Sequence, residues 1–128
     1  MAALAAKEYD QGDSAASDTI DRASSRPAFQ ALVYPGRAYL ISPDENSPPA
    51  FLVCAFDDRR DISAGLAEVY LRFHQANVPA ELHVFSSGGH GFGLRPSVSG
   101  KPVHDWPTRF VEWLHERGFA AKHSAAAN

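Results

Sequence analysis

The sequence predicts an α/β fold with three parallel strands and flanking helices. Three short apolar segments bounded by turn residues have the length and composition of buried strands. Helical patterns follow the second and third of them. The resulting order of strand, strand, helix, strand, helix is typical of a parallel sheet with right-handed crossovers. With 128 residues, 45% of them hydrophobic, the chain is long enough for one domain with a core and too short for two.

The predicted strands cover residues 29–34 (FQALVY), 50–56 (AFLVCAF) and 81–85 (ELHVF). The first two segments are nearly continuous apolar runs, as expected for strands that are covered on both faces. The third segment alternates apolar and polar residues, which favours a position nearer an edge of the sheet. We therefore expect two interior strands and one strand nearer an edge.

The first long helix is predicted over residues 63–77. Four residues repeat there at helical spacing and form one apolar stripe: Leu66, Val69, Tyr70 and Phe73. Asp61 or Ser63 is expected to cap the first turn, and Val78-Pro79 is expected to stop the helix.

A second long helix is predicted to open at Asp105-Trp106-Pro107, since proline is favoured in the first helical turn. Three residues are expected to face the core: Phe110, Val111 and Leu114. Gly118 is expected to end the helix as a C-cap residue. Both tryptophans, Trp106 and Trp113, are expected to pack this helix rather than line a substrate pocket.

The remaining segments contribute little to the predicted core. Residues 1–8 (MAALAAKE) are expected to be the end of a helix, and residues 9–27 a connecting loop, because that stretch is rich in Asp, Ser and Gly. Residues 122–128 are small and polar and are expected to form a frayed tail. The predicted domain therefore covers residues 1–121.

Composition excludes several classes of partner. Twelve Lys and Arg against fifteen Asp and Glu give a net charge of -3, so neither a nucleic acid nor a membrane is expected to bind. Cys54 is the one cysteine, which excludes an intramolecular disulfide and a cysteine-based zinc site, and we expect it to be a small buried residue. The histidines show no metal-ligand spacing. We therefore expect no metal and no cofactor.

Chemically reactive residues follow two of the predicted strands. In a parallel sheet, reactive groups gather just beyond the carboxyl ends of the strands. Asp57-Asp58 comes after the second strand, and His90 follows the third strand inside a glycine-rich loop, residues 86–93 (SSGGHGFG). A carboxylate that meets an imidazole across such an edge fixes the tautomer of the base and stabilises its charged form. The pattern predicts the base and acid of a catalytic triad, with either aspartate as the acid.

These segments resemble the C-terminal part of α/β-hydrolase esterases related to acetyl xylan esterases and prolyl-oligopeptidase-type hydrolases. The resemblance covers nearly the whole chain and rests above all on FLVCAFDDRRD, ELHVFSSGGHGFGLR and PVHDWPTRFVEWLHERGF. It implies a partial α/β-hydrolase fold in which Asp58 is the catalytic acid and His90 the base, with Asp57 as the alternative acid. The sequence departs from the family pattern at Cys54-Ala55, where the family has His-Gly, and at residues 59–62.

A nucleophile is harder to place. Ser14 lies in a G-x-S-x-A segment, residues 12–16, but no apolar strand precedes it, and a nucleophile elbow needs one. The resemblance implies that residues 9–13 follow the helix after the elbow, so that the chain begins about two helical turns beyond the serine. We therefore expect a fragment that carries Asp58 and His90 but neither the nucleophile nor the oxyanion hole.

The function that the resemblance implies is a serine-type carboxylic-ester hydrolase acting on an acetyl or other short-acyl ester, such as one on a small molecule or a carbohydrate. The alternative is a non-catalytic module that binds or oligomerises, because a half sheet would expose a strand edge at residues 29–34 and favour self-association. A minimal hydrolase that uses Ser14 or Cys54 is the third hypothesis.

Overall fold

The computed structural model describes residues 2–121 and contains one parallel three-stranded sheet with helices on its flanks. The strands are β1 (Gln30–Val33), β2 (Ala50–Ala55) and β3 (Ala80–Phe85), in the spatial order β1-β2-β3. The helices are α1 (Ala2–Ala5), α2 (Arg60–Gln75) and α3 (Trp106–Glu116). The predicted fold class is confirmed. The tail predicted for residues 122–128 lies outside the described residues.

Strand β2 is the centre of the core. All six of its residues are buried, because the strand contributes side chains to two clusters on opposite faces. Leu52 and Cys54 pack with α2 on one face, whereas Phe51 and Val53 pack with Trp113 of α3 on the other. Successive side chains of a strand point to opposite faces, so a strand buried on both faces needs the continuous apolar run that the sequence shows here.

The outer strands differ from the prediction in one respect. β1 lies at one edge of the sheet and β3 at the other, so only β2 is interior in residues 2–121. The interior position predicted for β1 from its apolar run is wrong there, and residues of β1 alternate between buried and half-buried. The open edge that was expected at residues 29–34 is present.

Helix α2 begins at Arg60, three residues earlier than predicted. Neither predicted capping residue caps it, because Arg59 occupies the N-cap position and makes no side-chain capping bond. The extra turn brings Ile62 into the buried stripe, where it joins Leu66, Val69 and Phe73. Tyr70 is only partly buried and packs at the rim of this cluster.

Helix α3 turns Trp113 toward the core and leaves Val111 46% exposed, so the prediction that Val111 faces inward is wrong. Phe110 and Leu114 pack against the α3-side cluster. The helix ends at Glu116 with Arg117 as its C-cap residue, so the predicted C-cap residue, Gly118, lies one position later, with a φ of 74°. The Gly118 N–H donates to the oxygen of His115 and the Phe119 N–H to that of Leu114, which is the bonding pattern of a Schellman motif.

The chain before β1 contains one helical turn, α1, and then turns and bends up to residue 29. Asp10 ties this connection together, since its carbonyl oxygen accepts from the N–H of Ser25 and from the hydroxyl of Ser24. Among residues 2–121, no helix combines the length and the apolar character that are needed to cross a bilayer.

Candidate active site

Asp58 lies in the turn that follows β2, with its side chain fully buried. Both carboxylate oxygens have partners there. Oδ1 accepts the backbone N–H of Arg59 at 2.7 Å, and Oδ2 lies 3.0 Å from Nδ1 of His90. Burial of a carboxylate is costly unless it is hydrogen-bonded, and here the site supplies both bonds.

His90 reaches Asp58 from the loop after β3. Its side chain is 52% exposed, and its hydrogen bonds within residues 2–121 involve Nδ1 and the carbonyl oxygen, not Nε2. A carboxylate can only accept, so Nδ1 carries the proton in this pair and the neutral ring keeps a lone pair on Nε2. The half-exposed imidazole can therefore accept a proton at Nε2 from a group that approaches from the solvent side.

The His90 loop is fastened on both sides of the imidazole. Phe92 is 1% exposed and belongs to the α3-side cluster. The Arg95 guanidinium donates to the carbonyl oxygen of His90 at 2.8 Å, and the Trp106 indole N–H donates to the carbonyl oxygen of Gly93 at 3.0 Å. Gly91 has a φ of 66°, a conformation that glycine adopts without a steric penalty. The loop therefore holds the backbone of His90 in one place.

Asp57 has different hydrogen-bond partners from Asp58. It is exposed, and its Oδ1 accepts the backbone N–H of Gly89 at 2.8 Å. The N–H groups of Gly89 and, to a lesser extent, Gly88 hold the pKa of Asp57 below its usual value. The two adjacent carboxylates thus bind different parts of the same loop: Asp58 contacts the imidazole of His90, and Asp57 accepts the backbone N–H of the preceding residue, Gly89.

Sequence reasoning missed two contacts of His90, with Tyr34 and Arg95, and the packing of Phe92 that supports its loop. Tyr34, at the end of β1, packs its ring edge-to-face against the imidazole with 5.2 Å between ring centroids, and Phe92 and Arg95 support the loop as described. A signal for Tyr34 existed, because it follows β1 at the same edge of the sheet where Asp58 and His90 follow their strands.

The two alternative nucleophiles are poorly placed. Cys54 is fully buried, and burial, together with the nearby charge of Asp58, raises the pKa of its thiol to about 11. A thiol in that state is a weak nucleophile near neutral pH. Ser14 lies exposed in the connection before β1, and within residues 2–121 the hydrogen-bond partners of His90 are Asp58 and Arg95.

Other polar groups near the site are paired with each other. Arg59 makes a bidentate contact with Asp61, at 3.0 Å from Nε to Oδ1 and 2.9 Å from Nη2 to Oδ2.

In the part of the chain that the structure describes, no three His, Cys, Asp or Glu side chains are grouped in a way that could hold a metal ion.

Comparison with known proteins supports the fold. No protein-family model and no curated protein matches the sequence. Among solved structures, the chain is similar to an acetyl ester-xyloside bifunctional hydrolase from Caldicellulosiruptor lactoaceticus, with a TM-score of 0.78 and 24% identity over 93% of this chain and 53% of that one. It is also similar to a carboxylesterase from Lactobacillus plantarum WCFS1, with a TM-score of 0.66 and 22% identity over 80% of this chain and 48% of that one.

A third match is an α/β-hydrolase enzyme from a deep-sea metagenome library of the Medee basin, with a TM-score of 0.56 and 26% identity over 71% of this chain and 44% of that one. The chain thus spans about half the length of the solved structures that it matches. The parallel sheet and these matches together establish that the chain has a partial α/β-hydrolase fold.

Proposed function

We propose that the chain is part of a serine-type carboxylic-ester hydrolase, in which His90 is the general base and Asp58 the acid that orients it. The observation that carries the proposal is the 3.0 Å contact between Nδ1 of His90 and Oδ2 of Asp58, in which a buried acid meets a half-exposed base. The similarity to an acetyl ester-xyloside bifunctional hydrolase and to a carboxylesterase supports the same chemistry.

The proposed cycle follows from the free Nε2 of His90. A serine hydroxyl gives its proton to Nε2 while its oxygen attacks the ester carbonyl, and Asp58 stabilises the resulting imidazolium through Nδ1–H. Nε2–H then protonates the departing alcohol as its bond to the acyl carbon breaks. Water repeats both steps on the acyl-enzyme, so that the acid product leaves and the serine hydroxyl is restored.

The serine and the oxyanion-hole donors are proposed to come from a segment other than those described. A single oxyanion donor contributes about 10²–10³ in rate, so acid and base alone provide little acceleration. We expect this chain by itself to be nearly inert toward esters.

The substrate class is proposed from the matched structures. One is described as an acetyl ester-xyloside hydrolase and another as a sugar hydrolase from Lactococcus lactis. An acetyl or other short-acyl ester, carried on a small molecule or a carbohydrate, is therefore the proposed substrate.

A fluorophosphonate probe tests the proposal, since it labels serines that a base has activated. We expect this chain extended by its in-frame upstream coding sequence to be labelled at the serine of a G-x-S-x-G segment, and His90→Ala to abolish labelling. His74→Ala is the matched control, because His74 is exposed on α2 and should leave labelling unchanged. Labelling of Ser14 in this chain alone, or an extended chain that His90→Ala does not affect, would overturn the proposal.

The open edge of β1 favours a second candidate, a non-catalytic module that associates with a second copy of itself. The Gln30 N–H donates to Pro49, just before β2, and the Tyr34 N–H donates to Val53 of β2. In this register the N–H groups of Ala31 and Val33 point away from β2. Beside this edge lies a cavity of about 620 Å³ with apolar residues such as Leu4 in its wall. Unpaired strand edges beside apolar surface favour association.

Sedimentation velocity tests this second candidate. Ala31→Pro removes an outward N–H without breaking the bonds to β2, so it should convert a dimer to a monomer. Val84→Pro does the same on the outer edge of β3 and should leave the dimer intact. A wild-type chain that is monomeric, or a dimer that survives Ala31→Pro, refutes the candidate.

A further inference from the structure

Tyr34 has a backbone conformation that is unusual for its residue type. It follows the last residue of β1 and has a φ of 40°, in the left-handed region that side chains other than glycine rarely adopt. Pro35 follows it, and a residue before proline has fewer conformations than others. The Tyr34 N–H still donates to the carbonyl oxygen of Val53 at 2.8 Å, so the residue is held at the sheet and not in a free loop.

The Tyr34 side chain packs against the clusters on both faces of the sheet. In an extended strand, residues two apart point to the same face. Leu32 packs in the α2-side cluster, so an extended Tyr34 would point there as well. Tyr34 does pack against that cluster, and its ring also contacts Phe92, a member of the α3-side cluster, with 4.7 Å between centroids and 81° between planes. At this positive φ the ring lies at the end of the sheet, where it reaches the His90 loop.

At that loop, the Tyr34 ring lies against the imidazole of His90 with 68° between the two planes. Asp58 holds the imidazole by one hydrogen bond, and one hydrogen bond lets a ring swing about the axis that joins donor and acceptor. A second contact from an aromatic ring removes that freedom. Phe92 is buried and packs edge-to-face against Tyr34, so it restricts movement of the Tyr34 ring.

We infer that Tyr34 is a positioning residue for His90, whose ring keeps Nδ1 on Asp58 and Nε2 directed outward. The inference rests on the proposed function for its meaning in catalysis. The ring and not the hydroxyl is proposed to do this, because the contact with the imidazole is made between the two rings. Local strain at a site is retained when it serves the geometry of the site.

The test needs no ester substrate and uses this chain as it is. Long-range ¹H–¹⁵N spectra report which nitrogen of His90 carries the proton, and side-chain couplings report its rotamer. Tyr34→Gly removes the ring and suits the positive φ, and Tyr34→Phe keeps the ring. Asn77→Gly is the matched control, because Asn77 also has a positive φ, 56°, next to the opposite end of the sheet.

We expect wild type, Tyr34→Phe and Asn77→Gly to show one tautomer with the proton on Nδ1 and one rotamer. In Tyr34→Gly the population of other forms should rise about 5-fold, which corresponds to about 1 kcal/mol. A Tyr34→Gly spectrum equal to that of wild type overturns the inference, and so does loss of the single form in Tyr34→Phe.

Two further measurements keep the outcome decisive. If Tyr34→Gly does not fold, Tyr34→Asn replaces it, because asparagine tolerates left-handed backbone. Should neither fold, cross-relaxation between the Tyr34 and His90 rings in the wild-type chain decides, and its absence refutes the inference. An Asp58→Asn variant that changes the tautomer while Tyr34→Gly does not would refute the role of Tyr34 and leave the proposed function standing.

Discussion

Replacing Asp58 with asparagine keeps the shape of the side chain and changes one of its two oxygens into an amide donor. In the native turn, Oδ1 accepts the Arg59 N–H at 2.7 Å and Oδ2 lies 3.0 Å from Nδ1 of His90. The asparagine has one acceptor and one donor for these two partners. Because the Arg59 N–H can only donate, the amide oxygen stays on Arg59 and the amide NH₂ faces His90. Nδ1 must then accept, and the ring proton moves to Nε2.

The free-energy cost of the other amide orientation determines how far the tautomer equilibrium of His90 shifts. If the amide were flipped, its NH₂ would face the Arg59 N–H in a buried position, where the side chain of the native residue has no exposure. A buried donor without an acceptor costs about 1–3 kcal/mol, which is a population ratio of about 5 to 150. The inverted tautomer of His90 should therefore dominate, and a ring with its proton on Nε2 cannot accept one from a nucleophile. In a complete triad this exchange lowers kcat about 10⁴-fold.

Nitrogen-15 spectra of the uniformly labelled chain measure the tautomer directly, at a pH where the imidazole is neutral. The matched control is Asp57→Asn, one residue away, because Asp57 accepts the Gly89 N–H and does not contact the imidazole. We expect the proton on Nδ1 in wild type and in Asp57→Asn, and on Nε2 in Asp58→Asn. The reasoning is refuted if Asp58→Asn leaves the proton on Nδ1, or if Asp57→Asn moves it.

Three further predictions follow from the charges and the core. The Gly89 N–H lowers the pKa of Asp57 from 3.8, so this hydrogen bond stabilises the fold above pH ~4, and the stabilisation is lost as the pH falls through the lower pKa of the folded state. The chemical shift of the Gly89 amide should therefore titrate with a midpoint below 3.8. A higher midpoint contradicts this prediction. The pKa of Cys54 rises from 9.0 to about 11 on folding, so the free energy of unfolding should fall as the pH rises between those values. Urea titrations of Cys54→Ala should not show this fall. Phe73→Ala should cost about 3–5 kcal/mol of stability whereas Val111→Ala, at an exposed position, should change it by about 0.5 kcal/mol or less.

The sheet could be predicted from the sequence because burial determines composition. β2 is buried on both faces and its run of apolar residues follows from that requirement. Helix α2 could be predicted from its stripe, but its first turn could not, since Arg60 and Asp61 look like loop residues and only the buried Ile62 shows that the helix has begun.

From the residues alone, the aspartate that contacts His90 could be predicted only as one of two neighbours, and the resemblance favoured Asp58. Asp57 and Asp58 follow the same strand, and the turn separates them by directing Asp58 inward, where its N–H donates to the carbonyl oxygen of Ala55 at 3.2 Å. Adjacent residues of the same type give no sequence signal for such a difference. The position of Tyr34 after β1 can be read from the sequence, but the direction of its ring cannot, because a positive φ at a tyrosine before proline is set by tertiary contacts and not by local preference.

The central claim is that His90, held by Asp58, is the base that activates a serine for ester hydrolysis. The most direct measurement is kcat/KM for p-nitrophenyl acetate by the chain extended with its in-frame upstream sequence, compared with the His90→Ala and His74→Ala variants of the same polypeptide. The account predicts that His90→Ala loses about 10⁴-fold or more while His74→Ala matches wild type. A His90→Ala variant that keeps the wild-type value would contradict it.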